Sequence, residues 1–136
     1  MHIVLDTNVL VSGLLNPDGA PGRILDWILA GQLHILYDDR TLAEYSDVLA
    51  CPKFGFSSDL ARAVVGYLRL SGKSVTARPL PEGLLPDPGD YPFAEVAHSG
   101  KADALVTGNR EHFAGLEAGG VRVPSPSALL DILRGE

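Results

Sequence analysis

Short apolar runs rich in β-branched residues alternate along this chain with segments of helical period, and that alternation narrows the fold more than any other feature. His2-Ile3-Val4-Leu5, His34-Ile35-Leu36-Tyr37 and Ala104-Leu105-Val106-Thr107 are the clearest runs. A strand that is apolar at successive positions is buried on both faces, as in parallel sheets covered by helices. Ser74-Val75-Thr76-Ala77 is a weaker strand candidate, and Val121-Arg122-Val123 is extended. Between them Ile24, Leu25, Ile28 and Leu29 recur at helical spacing up to Gly31. Asp39 is placed to cap a helix carrying Leu42, Tyr45, Val48 and Leu49 as far as Pro52. Ser57 or Ser58 caps the next, with Leu60, Val64, Tyr67 and Leu68 on one face and Gly72 at its end. Phe93, Val96 and Ala97 lead to Gly100, a short helix covers 110–113, and Ser125 or Ser127 opens a last helix through Leu133. Strands alternating with helices imply right-handed crossovers. The expectation is one α/β domain over residues 1–136, a three-layer α/β/α arrangement with a mostly parallel sheet of about five strands.

Composition bounds the function. Eleven Lys and Arg stand against 17 Asp and Glu, for a formal charge of −6, which argues against coating nucleic acid by charge alone. It leaves open a protein that handles a phosphodiester through bound cations. Cys51 is the single cysteine, so neither an internal disulfide nor a thiolate zinc site can be built. The N-terminus has no basic n-region, and no apolar run approaches the roughly 18 residues of a membrane span. A cytoplasmic setting without membrane partners is the expectation.

In an open parallel sheet, ligands bind beyond the carboxyl ends of the strands. Asp6-Thr7-Asn8 follows the first strand, and Glu44 stands in the helix after the second, with Asp47 one turn on. Asp87 and Asp90 precede the helix that carries Phe93, and Thr107-Gly108-Asn109 closes a later strand. Each has a plainer reading: Asp6 and Asp90 as helix caps, Glu44 and Asp47 as a solvated face, Thr107 and Asn109 as turn residues. Delivered to one rim, the carboxylates would oppose one another's ionisation unless a cation joined them. No Lys or Arg is adjacent in sequence to Asp6, Glu44 or Asp90, so Mg²⁺ or Mn²⁺, hard ions that prefer oxygen ligands, is the simpler answer. Asp103 lies four residues before Thr107, about 13 Å down an extended strand, which favours a structural role. His2, His34, His98 and His112 show no metal-ligand spacing, and neither a nucleophile elbow nor a phosphate loop is present.

These segments, in this order, resemble the PIN-domain nucleases. Asp6-Thr7-Asn8 matches the opening motif, Glu44-Tyr45 with Pro52-Lys53-Phe54 the second, Asp87-Pro88-Gly89-Asp90 with Phe93-Ala94-Glu95 the third, and Ala102-Asp103 through Asn109 with His112-Phe113 the fourth. The aspect is closest to the branch described as toxins of toxin–antitoxin pairs. The resemblance implies strand order 3-2-1-4-5 and a divalent-metal-dependent ribonuclease. Asp6, Glu44 and Asp90 would hold the metal, and Asn109 would complete the catalytic set. Asn8, Thr107, Asp87 and Asp103 would support it, and Arg110 would contact RNA. In-line attack of water would leave a 5′-phosphate and a 3′-hydroxyl. Gly89 and Asn109 stand where the family commonly has acids, which lowers the charge of the site.

The expected function is therefore an Mg²⁺- or Mn²⁺-dependent endoribonuclease, with a cognate antitoxin protein and a second copy of the chain as partners. The alternative is a non-catalytic PIN-like module binding RNA or protein through a degenerate site. An Asp6-nucleophile phosphatase would want a second Asp at position 8, where this chain has Asn8.

Overall fold

β1 (His2–Leu5) is the central strand, and Ile3, Val4 and Leu5 are all fully buried. Successive strand residues point to opposite faces, so both faces of β1 are covered. β2 (His34–Tyr37) lies on one side, with His2 opposite His34 and Ile3 opposite Ile35, and β4 (Ala104–Val106) lies on the other, with Ile3, Val4 and Leu5 opposite Ala104, Leu105 and Val106. β3 (Lys73–Ser74) adds to the far edge of β2, giving an all-parallel sheet in the order β3-β2-β1-β4. The structure, a computed structural model, describes residues 1–135.

The expected fifth strand is present as a neighbour but not as a ladder. Leu105 N–H donates to the Arg122 carbonyl at 2.9 Å and Thr107 N–H to the Pro124 carbonyl at 3.3 Å. In a parallel ladder the return bonds to the Leu105 and Thr107 carbonyls would come from the N–H groups of residues 124 and 126. Both are proline and have no N–H, so half of the ladder cannot form. The sheet therefore has four strands, with residues 121–124 running beside β4.

β3 is shorter than its sequence suggests because its partner ends: β2 stops at Tyr37, opposite Ser74, where the chain turns into the next helix. Val75 N–H still reaches the Tyr37 carbonyl, but Arg78 N–H bonds Ser99 Oγ and Leu80 N–H bonds Glu95. Those acceptors belong to α5 (Tyr91–Ser99), which packs across β1, β2 and β4.

The helices otherwise follow their apolar periods, with one correction and two additions. α3 (Asp39–Leu49) is capped by Asp38 rather than Asp39; the Asp38 carboxylate accepts from the Arg40 and Thr41 N–H groups while the Thr41 hydroxyl accepts from Asp38 N–H. β2 ends at Tyr37, so residue 38 is where the chain turns. The last helix, α7 (Pro126–Leu133), is capped by Ser125 rather than Ser127, and Ser57 caps α4 (Ser58–Ser71). α1 (Thr7–Leu15) was not legible, because Thr, Asn, Val and Gly are weak helix formers. α6 (Ala114–Ala118) was also missed; it buries only Leu116.

α2 (Ala20–Leu29) packs tightly on α1 and on the turn between them. A Cβ at Gly22 would stand 2.2 Å from the Pro17 carbonyl oxygen, so the turn can lie against α2 only where no side chain intervenes. Gly22→Ala should cost about 1–3 kcal/mol, the usual range for overpacking, read as a lower urea midpoint at unchanged m. An unchanged midpoint would contradict this account of the close approach.

Candidate active site

The carboxyl ends of β1 and β4 are side by side, and the residues that follow them are bonded to each other. Asp6 N–H donates to the Val106 carbonyl at 3.0 Å, extending the strand pairing by one residue. The Asp6 carboxylate then accepts from the Thr107 hydroxyl at 2.6 Å, and the same hydroxyl accepts from Asn109 N–H at 3.0 Å. Thr107 is wholly buried and Asp6 is 8% exposed. Asp6 occupies the N-cap position of α1, yet its side chain makes no capping bond. Its carbonyl opens the helix while its carboxylate faces the rim.

Two further elements bring acids to the same place. Glu44, in the middle of α3, accepts from the Thr7 hydroxyl, and the next residue, fully buried Tyr45, donates its hydroxyl to the Leu5 carbonyl at 2.5 Å. That pair of bonds fixes α3 to the end of β1. Asp90 closes a 3₁₀ turn over Pro88–Asp90 and occupies the N-cap position of α5, again with no side-chain cap bond. Its Oδ2 is buried and has no hydrogen-bond partner; His112 Nδ1 stands 3.5 Å away. Asp87 is exposed and caps the same turn, accepting from Gly89 N–H at 2.9 Å.

The electrostatics tie these groups together. Burial pushes the Asp90 carboxyl up to about 6, and the negative charges of Asp6, Asp87 and Glu44 push the same way, against the pull of His112. Asp6 is also raised, chiefly by burial, with the Thr107 hydrogen bond opposing. Tyr45 is raised by burial and then by the Asp6 and Glu44 charges. Removal of water and mutual repulsion are the conditions under which a bound cation most favours ionised carboxylates. An unpaired buried oxygen among oxygen donors suits a hard divalent ion. The side chains as they stand are not drawn together: among the described residues, no three His, Cys, Asp or Glu form a group that could hold an ion. Glu44 is turned toward Thr7, and Asp90 toward His112.

The remaining expected residues divide. Asn8 is exposed on α1 and lines one cavity with Asp6, Thr7 and Glu44. Asn109 begins the 3₁₀ turn over Arg110–Phe113 and meets the set through its backbone. Asp103 is not with them: at the opposite end of the strands it accepts from His2 N–H at 2.8 Å. Arg110 is a local clamp, its guanidinium donating to the Val123 carbonyl at 2.8 Å and to Glu117 at 3.3 Å. Asp47 is exposed on the solvent side of α3, in line with its plainer reading.

Thr7, His112 and Glu95 carried no sequence assignment as site residues. Buried Glu95 accepts from Arg40 of α3 at 2.8 Å and from Leu80 N–H at 2.9 Å. It thereby links α3, which bears Glu44, to the loop leading to Asp90. The signal for it was an acid amid Phe93, Ala94, Val96 and Ala97, all of which are buried. Thr7 and His112 stand inside the first and fourth motifs, but residue type alone assigned them no role.

Residues 2–111 match the family described as PIN domain, a stretch that contains every group of the cluster except His112. An uncharacterized protein of Methanocaldococcus jannaschii is 30% identical over 116 residues, covering 82% of this chain and 72% of that relative.

The Thr107 hydroxyl both restrains Asp6 and accepts from Asn109. Thr107→Val should destabilise by about 1–3 kcal/mol, the cost of leaving buried polar groups unpaired, with Thr107→Ser losing less in the same urea titration. Equal stability of Val and Thr at this position would contradict the assignment. The raised Asp90 gives a pH signature as well. The folded state binds this proton more tightly than the unfolded chain, so without metal stability should fall as pH rises from 3.8 to about 6 and stay low above it. Asp90→Asn should shrink that fall to the part that Asp6, also raised, contributes, and a wild-type profile flat across this window would contradict it.

Proposed function

This chain belongs to the PIN-domain family, whose members are generally nucleases, and from that premise we propose that it is a divalent-metal-dependent endoribonuclease. The observation that carries the reading is the buried Asp90 Oδ2, which accepts no hydrogen bond, in a carboxyl raised by burial and then by the charges of Asp6, Asp87 and Glu44. Asp6, Glu44 and Asp90 would hold Mg²⁺ or Mn²⁺. When bound, such an ion supplies neutralisation of charge developing on a phosphoryl group and a water of lowered pKa. The chain's own work is positional. Thr107 fixes the Asp6 carboxylate, Thr7 fixes Glu44, and Tyr45 anchors α3 to β1. Asn109 offers a neutral amide at the rim, so the site carries less negative charge than it would with an acid there. Hydrolysis would leave a 5′-phosphate and a 3′-hydroxyl.

The same reading extends to regulation. The acidic cluster is a natural target for a basic side chain of an inhibitory protein, so we assign the chain to the toxin side of a toxin–antitoxin pair acting on cytoplasmic RNA. A homodimer or higher homo-oligomer is the proposed assembly. Among the described residues no helix is long and apolar enough to cross a membrane.

End-labelled RNA incubated with Mg²⁺ or Mn²⁺ tests the activity. Cleavage should stop in EDTA, and Asp6→Asn should lower the rate more than about 100-fold, beyond the 10–100-fold expected for Thr107→Val as an outer partner. Undiminished cleavage by Asp6→Asn, or cleavage in EDTA, would overturn the mechanism. By calorimetry Mn²⁺ should bind more tightly as pH rises through about 6, where Asp90 gives up its proton. Asp90→Ala should remove that heat. RNA binding without any metal heat would favour the non-catalytic module instead.

A further inference from the structure

We propose that the His2 and His34 imidazoles are the two protein ligands of a transition-metal site, which takes Zn²⁺ at the end of the sheet opposite the carboxylate rim. The histidines show no metal-ligand spacing along the chain, and the sheet supplies what that spacing does not. β1 and β2 run parallel with His2 directly opposite His34, so both side chains leave the same face of the sheet. Each opens its strand, ahead of the fully buried Ile3 and Ile35. His2 is exposed and His34 half-buried, so the pair can be reached from solvent.

The separation of the rings is close to that of a chelating pair. Their centroids are 5.6 Å apart, with planes tilted by 34°. Two imidazoles on one tetrahedral Zn²⁺, with Zn–N of about 2.0–2.1 Å, have centroids about 5 Å apart, so a shift of roughly half an ångström closes the pair. Turning the rings costs little, because the outer His torsion is broad. The backbones are fixed while the rings are free. His34 N–H donates to the Met1 carbonyl at 3.1 Å, and His2 N–H to Asp103 Oδ2 at 2.8 Å. Among the described residues neither imidazole makes a hydrogen bond, so no ring nitrogen gives up a protein partner to bind metal.

The third strand adds charge beside the pair. Asp103 N–H donates to the His2 carbonyl at 2.8 Å, and Ile3 stands opposite Ala104, so Asp103 is next to His2 in the same row. Across β2, β1 and β4 that row reads imidazole, imidazole, carboxylate. The three side chains do not converge as one ligand set. Water completes the coordination, and the Asp103 charge favours a cation there. Imidazole suits Zn²⁺, whereas the oxygen donors of the rim suit Mg²⁺ or Mn²⁺. The four residues from His2 to Asp6 span about 13 Å, so the two ends fill independently. A metal on both rings ties β1 to β2, and it stabilises the fold because the unfolded chain does not hold the pair together.

Calorimetric titration of Zn²⁺ into the untagged full chain tests the site, with Asp6→Asn and Asp90→Asn introduced to weaken the rim. His2→Gln and His34→Gln, each added to that background, should raise the Zn²⁺ Kd more than about tenfold, the least that losing even an outer partner of a metal costs. His98→Gln should leave it unchanged. Zn²⁺ should also raise the Tm of the background chain but not that of its His34→Gln form. A second measurement needs no histidine substitution: in proton spectra of the background chain, Zn²⁺ should shift the His2 and His34 ring resonances together and leave those of His98 in place. A Kd indifferent to either His2→Gln or His34→Gln, or a ring shift at only one of the two, would overturn the proposal.

Discussion

The hydrogen bond from the Thr107 hydroxyl to the Asp6 carboxylate fixes where everything else in this molecule must be. It can form only if β1 and β4 are adjacent and in register, because Asp6 N–H must also reach the Val106 carbonyl. Once it forms, a buried carboxylate is held at the rim with one oxygen committed, and neighbouring elements have to be compatible with its charge. Tyr45, bonded to the Leu5 carbonyl one residue earlier, brings Glu44 to that rim. Glu95, bridging Arg40 and Leu80, keeps α5 and the preceding loop alongside, which sets Asp90 in place. The site is thus assembled by polar contacts between elements whose apolar faces have already fixed their order.

Most of the fold was legible because it is written in period and burial. The runs at His2–Leu5, His34–Tyr37 and Ala104–Val106 are strands, and the helices at Asp39–Leu49, Ser58–Ser71, Tyr91–Ser99 and Pro126–Leu133 follow their apolar stripes. What failed did so for local reasons. The fifth strand lost its return bonds to Pro124 and Pro126, a hydrogen-bond fact that apolar pattern does not report. α1 was hidden by poor helix formers that tertiary packing overrides.

The site was legible as residue types following strands, not as partnerships. Asp6 and Thr107 are bonded to each other past the ends of their strands, while Glu44 is bonded to Thr7 and Asp90 stands beside His112; Asp103 is at the other end of its strand and Arg110 is tied to Glu117 and Val123. The Thr7–Glu44 bond joins residues 37 apart in the chain and leaves no trace in local pattern. The acidity of the chain also takes on a definite meaning. Of 17 acids against 11 bases, removing Asp6, Glu44 and Asp90 leaves 14, so the net charge outside the proposed ligands is 11 − 14 = −3. Half of the formal −6 resides in those three side chains. Such a chain has weak general attraction for RNA and relies on the cluster and on shape for binding.

The central claim is that Asp6, Glu44 and Asp90 form one ion site. Anomalous diffraction from crystals soaked in Mn²⁺ tests it most directly. The account predicts a single strong peak at the rim, bounded by these three carboxylates, with Glu44 turned away from Thr7 toward the ion. A peak elsewhere, or none at saturating Mn²⁺ above pH 7, would contradict it.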